Sequence, residues 1–428
     1  MLRLLRAEYM RTVINERGRM SGFAEVVPTS AVKTAATTVV WRRIVRPVLF
    51  WTHVIAGVMT GGVVLVMSAT GVLLTYQKQI TTWADLRGLN GAAPAAASAP
   101  LSPDSLIARA HVASGAAPTG IVWRSGRTRP VEIILPQNRR LFLNAYTGQV
   151  LGTGSAGVRG FFREVTSWHR WLALSGERRN TGRSITGLSN LALFVLVVTG
   201  IVLWWPRQIT RVAFRNVLQF RRGLRSKARE FNWHHVLGFW TWMPLFVVVT
   251  SGIVISYRWA GDLVYRAAGE APPRRVPAEA SRVESRVETS RAETPARIPF
   301  DDALRIVETR APDWRTISLS LPRQRSAGHT FTIDRGTGGE PHKRAQLVIA
   351  HAGAEARWQS FSEQPTARRW RSILRFAHTG EVLGLVGQTV AGVVSLAACL
   401  LVYTGLALSL RRLLVWFRRR RRAPELSM

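Results

Sequence analysis

Four long apolar segments without a charged residue constrain the fold of this chain more than any other feature. They cover residues 48–76, 184–206, 231–257 and 382–410, and none of them contains Asp, Glu, Lys or Arg. Each exceeds the roughly 20 apolar residues that a helix needs to cross a bilayer. Buried helices of a large soluble protein seldom run so long without a charge. We therefore expect an α-helical membrane protein with four transmembrane helices.

The charge of the chain is distributed around these segments. The sequence has 59 Lys and Arg residues against 25 Asp and Glu, a formal net charge of +34. Such an excess can indicate nucleic-acid binding, but here many basic residues lie beside helix ends, in residues 42–46, 207–230 and 411–422. By the positive-inside rule, both termini and the short second connection are cytoplasmic. We expect membrane lipid as a partner and no nucleic acid.

The two long connections carry helix and strand patterns. The first has a linker at 91–100, a helix at 102–111 and strands at 120–123, 130–135 and 140–146. The second has a linker at 267–299, a helix at 301–311 and strands at 316–321, 330–334 and 345–350. The predicted organisation is a basic cytoplasmic N-terminal extension (1–43), helix one (44–78), an external α+β domain (79–167), helix two with a preceding His segment (168–206), a basic cytoplasmic loop (207–230), helix three (231–258), a linker (259–299), a second external α+β domain (300–370), helix four with a preceding His segment (371–412) and a basic cytoplasmic tail (413–428).

An internal repeat relates the helices in pairs. In helices one and three, a His is followed four residues later by a Gly. A hydroxyl-glycine pair comes next, and its Gly lies eighteen residues after the His. Helices two and four share a Thr-Gly pair, a Gly thirteen residues before it, and a His just outside the apolar run. A duplicated two-helix unit predicts a pseudo-two-fold axis along the membrane normal. The axis would place His53 opposite His234, and His169 opposite His378.

These histidine pairs are the candidate cofactor ligands. The chain has one Cys, which excludes a disulfide framework, a four-Cys zinc site, a Cys-ligated iron–sulfur cluster and covalent c-type haem. Ionisable residues within membrane segments are functional candidates, and two facing imidazoles suit the axial ligation of b-type haem. We therefore expect metal or haem ligation by His53, His234, His169 and His378.

Other residues complete this prediction. Gly57 and Gly238 lie one turn after the first two ligand candidates and would leave room for a flat porphyrin. His235 is an alternative to His234, although the glycine spacing favours His234. The remaining histidines lack ligand spacing and are expected at the surface: His111, His329, His342 and His351.

Motifs of nucleotide chemistry are missing from the sequence. It contains neither a P-loop nor a G-x-G-x-x-G run, so we expect no ATP, flavin or nicotinamide site in this chain. The external segments nevertheless keep an excess of arginine, for which we expect an anionic chelate or anionic lipid headgroups as partner: Arg124, Arg127, Arg129, Arg139, Arg140, Arg368, Arg369 and Arg371.

Several motifs together resemble the PepSY-associated transmembrane helix family. They span about residues 43–412 and include an external segment similar to the end of a PepSY domain, with Asn144 where an Asp usually stands. The motifs are His53-x-x-x-Gly57, Ala69-Thr70-Gly71, His169-Arg170-Trp171-Leu172, Thr199-Gly200 with Trp204-Trp205-Pro206-Arg207, Trp233-His234-x-x-x-Gly238, His378-Thr379-Gly380-Glu381 and Thr147-Gly148-Gln149-Val150.

The resemblance implies a function. Members of this family are bacterial inner-membrane proteins, and they include dihaem ferric-siderophore reductases. Carried over, His53 and His234 would ligate an inner haem b, and His169 and His378 an outer one. The resemblance implies that electrons from a separate cytoplasmic donor, such as a flavoprotein, reduce a periplasmic ferric siderophore beneath two external PepSY-like domains.

Two other functions remain open at this stage. A non-catalytic membrane anchor could use its PepSY-like domains to bind or inhibit a periplasmic peptidase, or to sense a signal, but this leaves the paired histidines unexplained. A transporter of the siderophore or ion would favour broken helices and charges at the bilayer midplane, which the apolar segments lack.

Overall fold

The four apolar segments form four long helices in the computed structural model of the protein, which describes residues 41–89, 91, 99–126, 128–205, 210–273, 300–321, 329–349 and 356–422. Each of the four contains a stretch long and apolar enough to cross a membrane, so this prediction is confirmed. In chain order the helices are α1 (Arg46–Leu74), α2 (Gln77–Leu86), α3 (Pro103–Ser114), α4 (Ala156–Trp171), α5 (Arg179–Trp204), α6 (Arg211–Leu218), α7 (Ser226–Ser256), α8 (Arg258–Ala267), α9 (Phe300–Arg310), α10 (Thr366–His378) and α11 (Gly384–Arg422). The spanning helices are α1, α5, α7 and α11.

The chain divides into two units, Met1–Thr52 and His53–Met428. The first is described from Trp41 onward, where a short π-helix, Trp41–Val45, precedes α1. All the candidate ligand histidines belong to the second unit. The described residues do not include 1–40, most of both predicted linkers (92–98 and 274–299), Arg127, His351 or 423–428. Predictions made for these positions lie outside the described residues.

Both long connections contribute four strands to one antiparallel sheet. The first half meets the second where β1 pairs with β5, from Gly120 opposite Ser320 to Arg124 opposite Thr316. This joining of the two predicted external units is not evident in the sequence. The strands are β1 (Gly120–Arg124), β2 (Val131–Ile134), β3 (Arg140–Leu143), β4 (Val150–Gly152), β5 (Thr316–Ser320), β6 (His329–Asp334), β7 (Arg344–Ile349) and β8 (Ala356–Ser360), in the spatial order β4-β3-β2-β1-β5-β6-β7-β8.

One face of the sheet forms the largest apolar core. Because successive strand residues point to opposite faces, the core takes alternate residues such as Ile121, Ile317 and Ile333, all fully buried. Helices α3 and α9 cover this face through Leu106 and Val307. The two halves therefore share one core, which stabilises the sheet as a unit.

Buried charges lie on and beside the opposite face. Glu132 is 2% exposed and accepts hydrogen bonds from Arg124 and Arg140, at 2.6 and 2.5 Å. Asp85 of α2 is 3% exposed and pairs with Arg159 of α4. Because a buried carboxylate needs such partners, two arginines of the predicted external excess serve the sheet itself.

The helices that precede α5 and α11 differ from their predicted bounds. His169 lies in the last turn of α4, and His378 is the last residue of α10. The predicted boundaries at 167/168 and 370/371 thus fall inside these helices. Both helices have an apolar face but several arginines, so apolar run length alone misses them.

The prediction that His329 lies at the surface is wrong. His329 is 9% exposed, and its ring packs edge-on against Phe300 with 4.8 Å between ring centres. It begins β6 at the shared core, since strand alternation there turns it toward α9. His111 and His342 are exposed as expected. Helix α8, Arg258–Ala267, covers the start of the predicted linker 259–299.

Candidate functional site

The first histidine pair joins two spanning helices. His53 of α1 and His234 of α7 face each other with ring centres 6.3 Å apart and ring planes at 87°. Each lies near the beginning of its helix. The two residues are therefore neighbours although 181 positions separate them in the sequence.

The second pair, His169 and His378, joins the two shorter helices α4 and α10. Their ring centres are also 6.3 Å apart, with ring planes at 62°. Thr70, which contacts His169, follows His53 by seventeen residues in α1, or about 25 Å along the axis at 1.5 Å per residue. The two pairs are thus separate sites toward opposite ends of the helices.

Local backbone geometry ends α4 directly after His169. Leu172 and Ala173 adopt left-handed conformations with φ of 53° and 58°, which stop an α-helix. Gly182 of α5 packs on the carbonyl of Trp171, where a methyl group would lie 2.1 Å from the oxygen. Glycine at this position lets α5 lie against the last turn of α4 and fixes the position of His169.

Every histidine of the two pairs is held through Nδ1 by a hydroxyl residue from another helix. The hydroxyl belongs in each case to the residue before a glycine. The Nδ1 to oxygen distances are 2.9 Å for His53 and Thr199, 2.9 Å for His234 and Thr404, 3.0 Å for His169 and Thr70, and 3.5 Å for His378 and Ser251.

A backbone carbonyl completes each of these contacts. His169 Nδ1 lies 2.9 Å from the Met67 oxygen, and His378 Nδ1 lies 2.8 Å from the Val248 oxygen. His53 and His234 are bonded in the same way to the backbone of Leu196 and Leu401. In all four cases the carbonyl belongs to the residue three positions before the hydroxyl.

These contacts determine the tautomer. A carbonyl oxygen only accepts, so Nδ1 must carry the proton and donate it. The four hydroxyls in turn donate to carbonyls of their own helices, at 2.6 to 2.8 Å. Each imidazole therefore presents the lone pair of Nε2, and an Nδ1–H bond to a carbonyl is the usual support of a metal-ligating histidine.

The glycine after each hydroxyl lies against the imidazole ring. A methyl group built on Gly200 or Gly405 would lie 3.4 or 3.3 Å from Cε1 of His53 or His234, respectively. The corresponding distances to the second pair are 3.7 Å from Gly71 to His169 and 3.2 Å from Gly252 to His378. Larger residues would press on the rings, most strongly at Gly252, Gly405 and Gly200.

In the sequence, the hydroxyl-glycine dipeptides align the helices and contribute to the family resemblance, but they are not predicted to support the histidines. Their recurrence in all four apolar segments is the signal that could have identified them as supports of the histidines. Gly57 and Gly238, predicted to border a cofactor, touch neither ring of the first pair. A methyl group on either would only reach ordinary contact with Leu196 or Leu401, at 3.7 and 3.9 Å, so there is space beside these glycines.

His235 has a different environment from His234. Its Nδ1 bonds to the Phe231 carbonyl of its own helix at 2.9 Å, and its ring stacks on Phe231 with centres 4.0 Å apart. His234, in contrast, faces His53 and rests on Thr404. The geometry favours His234 as the partner of His53.

Burial keeps the second pair neutral. The pKa of His169 falls to about 4, mainly because the ring is buried and also because His378 and Arg170 are near. Burial likewise lowers the pKa of His378. Both rings are neutral at pH 7, the protonation state in which imidazole binds metals.

The spacing within the pairs fits a metal ion between two imidazoles. A metal–imidazole bond is about 2 Å long and a ring nitrogen lies roughly 1 Å from the ring centre, so two rings on opposite sides of one ion have centres about 6 Å apart. Both pairs show 6.3 Å. Among the described residues, no group of three His, Cys, Asp or Glu side chains could hold a metal ion. The donor set therefore suits two-fold axial ligation better than a protein-only site.

Four membrane-spanning helices and a sheet built from the two long connections define an integral membrane protein with two paired-histidine sites. The family model described as the PepSY-associated TM region matches residues 50–412. The chain belongs to this family. A search of curated proteins finds no match to it.

Proposed function

We propose that the protein is a transmembrane dihaem b oxidoreductase of the bacterial inner membrane. It passes electrons from a separate cytoplasmic donor, such as a flavoprotein, to the periplasmic side. There it reduces a ferric siderophore or another Fe(III) chelate for iron uptake, since reduction to Fe(II) weakens the bonds to hard oxygen ligands.

The observation that carries this proposal is the equal spacing of the two pairs. Both have ring centres 6.3 Å apart, and all four rings donate Nδ1–H and present Nε2. His53 and His234 would hold one haem b, and His169 and His378 the other. Haem bound in this way supplies reversible one-electron chemistry at iron.

The protein's own residues perform the positioning. The hydroxyl and carbonyl acceptors hold each imidazole in one tautomer, and the bond from Nδ1–H increases the basicity of Nε2. The glycines beside the rings leave space for each imidazole, because they have no side chain that would press on it.

Topology and repeat support the direction of transfer. By the positive-inside rule, the arginines beside the helix ends support a cytoplasmic position for both termini and for the connection between α5 and α7. In this topology the sheet is periplasmic, and the second pair lies on the periplasmic side. We also infer a duplicated two-helix unit. His53 and His234 each bond to the Thr of a Thr-Gly pair, and His169 and His378 each bond to a carbonyl three residues before a hydroxyl residue.

The visible spectrum of the purified protein tests the proposal. After expression with adequate haem, we expect two low-spin b haems per chain, quantified by pyridine haemochrome, and oxidation of the reduced protein by Fe(III) chelates. A colourless, folded protein would exclude the oxidoreductase. It would favour the non-catalytic alternative, a membrane-anchored PepSY protein that binds or inhibits a periplasmic peptidase or senses a signal.

A further inference from the structure

Four arginines gather beside the second histidine pair. Two belong to the first turns of α5, one follows His169 in α4, and one precedes His378 by three residues in α10. All four are exposed. We call them the arginine cluster: Arg170, Arg179, Arg183 and Arg375.

Packing between α4 and α5 brings the cluster together. The guanidinium groups of Arg170 and Arg179 lie over the same Trp171 ring, at 4.8 and 3.8 Å from its centre. Gly182 allows the close approach of α5 to this turn. Arg183, one turn after Arg179, extends the basic surface and donates to the Ser256 carbonyl at 3.1 Å.

The cluster differs from other arginines in its lack of ion pairs within the part of the chain that the structure describes. No ion pair involves any of its members there, whereas Arg124, Arg140 and Arg159 each contact an acidic residue. Arg170 interacts electrostatically with each of the three other arginines. Like charges repel one another, so this surface attracts an anion.

The number of charges restricts the chemical class of the anion. A haem b carries two propionate carboxylates; with one guanidinium group paired to each, two of the four remain without a carboxylate partner. Guanidinium binds carboxylates in a fork geometry with two parallel hydrogen bonds. A polycarboxylate from solution fits a surface that is exposed and that adjoins both His169 and His378, where a substrate must come close to receive an electron.

We propose that the arginine cluster is the docking site of a polyanionic Fe(III) hydroxycarboxylate chelate, of which Fe(III)–citrate is the simplest example. The proposal rests on the proposed function, because the reduced protein supplies the electron. One electron converts Fe(III) to Fe(II) in the docked chelate, and no covalent bond is made or broken in the transfer. The sequence predicts an anionic partner for the excess arginines of the external segments. The proposed docking site uses four other arginines.

Binding and electron transfer can be measured separately on the haem-loaded, full-length protein in nanodiscs of neutral lipid. Ga(III)–citrate mimics the ferric chelate without being reduced, and calorimetry measures its binding. We expect the double variant R179Q/R183Q to bind it about tenfold more weakly, the loss expected for charge-assisted hydrogen bonds at an exposed site. The control Arg266→Gln, an exposed arginine in the last turn of α8 and outside the cluster, should stay within about twofold.

Stopped-flow oxidation of the reduced protein provides the second readout. With Fe(III)–citrate, the second-order rate constant should fall in the double variant by the factor found for Ga(III)–citrate. With a neutral ferric trihydroxamate it should match the wild type. An equal loss for both chelates, or a changed Soret band or haem content, would overturn the proposal in favour of propionate binding or a structural role.

The remaining outcomes separate the docking site from the proposed function. Binding of Ga(III)–citrate that is independent of Arg179 and Arg183, or that requires anionic lipid, overturns the docking site even if neutral chelates are reduced. Arginine-dependent binding by a protein that reduces no chelate supports the docking site and rejects the proposed reductase.

Discussion

The two histidine pairs have the same spacing but different supports. His53 and His234 belong to spanning helices and rest on the two other spanning helices, α5 and α11. His169 and His378 belong to the shorter helices α4 and α10, and rest on α1 and α7. Helices α1 and α7 therefore contribute to both pairs, whereas α5 and α11 supply hydrogen-bond acceptors to the first pair.

This difference separates a site fixed by the helix bundle from one tied to the sheet. Helix α4 is anchored at its start by Asp85 of α2, which accepts from the Ser155 amide at 2.8 Å, pairs with Arg159 and lies 3.9 Å from Arg140 of β3. Helix α10 contacts the sheet through Arg344, whose guanidinium lies 4.8 Å from the centre of the Phe376 ring. Changes in the sheet can thus reach the second pair, while the first depends on the spanning helices.

Removal of one ligand has the largest expected effect. We expect His234→Ala to lower the haem content from two per chain to one, because the remaining axial imidazole does not retain the cofactor. The second haem should remain and be reducible only by external reagents. Pyridine haemochrome and the redox spectrum measure both effects.

His378→Ala should give the complementary loss, and His235→Ala should keep both haems. Loss of both haems from either ligand variant would contradict two independent sites. Loss of one haem from His235→Ala with full retention in His234→Ala would reverse the assignment of the ligand.

Crowding of an imidazole should have the next largest effect. Valine at Gly405 places its side chain against Cε1 of His234, where a methyl group already lies at 3.3 Å. We expect Gly405→Val to weaken haem binding at the first pair about tenfold, comparable to loss of other metal-site supports, and to leave the second pair intact. Titration of the haem-depleted protein with haem measures the change.

Gly62 is the matched control, since nothing lies within 4 Å of a methyl group built there. Gly62→Val should bind haem as the wild type does. If the two variants behave alike, the glycines after the hydroxyl residues have no special role at the rings.

Much of the architecture follows from patterns along the chain. Charge-free runs identify the spanning helices, because a bilayer requires about 20 apolar residues in sequence. The recurrence of His and Gly at equal spacing predicts which histidines face each other. This spacing can be read from the sequence because residues three to four positions apart lie on the same face of a helix.

Other features leave little trace in sequence. The pairing of β1 with β5 uses backbone groups, which every residue has, so no side-chain pattern announces that the two halves form one sheet. The support of His234 by Thr404 depends on the packing of α7 against α11, 170 residues apart. The burial of His329 depends on a contact with α9 rather than on its neighbours in β6.

A smaller effect is expected from removal of a hydroxyl acceptor. Thr404→Val keeps the side-chain shape but removes the oxygen that lies 2.9 Å from Nδ1 of His234, leaving the Leu401 carbonyl. A weaker bond from Nδ1–H makes the ligand less electron-rich, so the midpoint potential of the first haem should rise. One hydrogen bond of about 1 kcal/mol corresponds to about 40 mV for one electron.

The equivalent change in the second pair should do less. Ser251 lies 3.5 Å from His378 Nδ1, and the Val248 carbonyl at 2.8 Å is the stronger acceptor. Potentiometric titration of Ser251→Ala should therefore show a shift smaller than that of Thr404→Val. A larger shift in Ser251→Ala would show that the hydroxyl, and not the carbonyl, sets the basicity of the second pair.

The smallest expected effect concerns the end of α4. Ala173 has φ of 58°, a conformation that costs roughly 1 kcal/mol in a residue with a Cβ and little in glycine. Part of this gain is offset because glycine is more flexible in the unfolded chain. Ala173→Gly should thus raise the thermal stability of the second haem site slightly, followed as the temperature at which its spectrum is lost, and leave the first unchanged. Ala377→Gly, which lies within α10, should lower it, because glycine in a helix costs about 1 kcal/mol. If both variants destabilise the second site, the left-handed turn after His169 does not strain the chain. The attachment of α4 to the sheet then limits the thermal stability of that site.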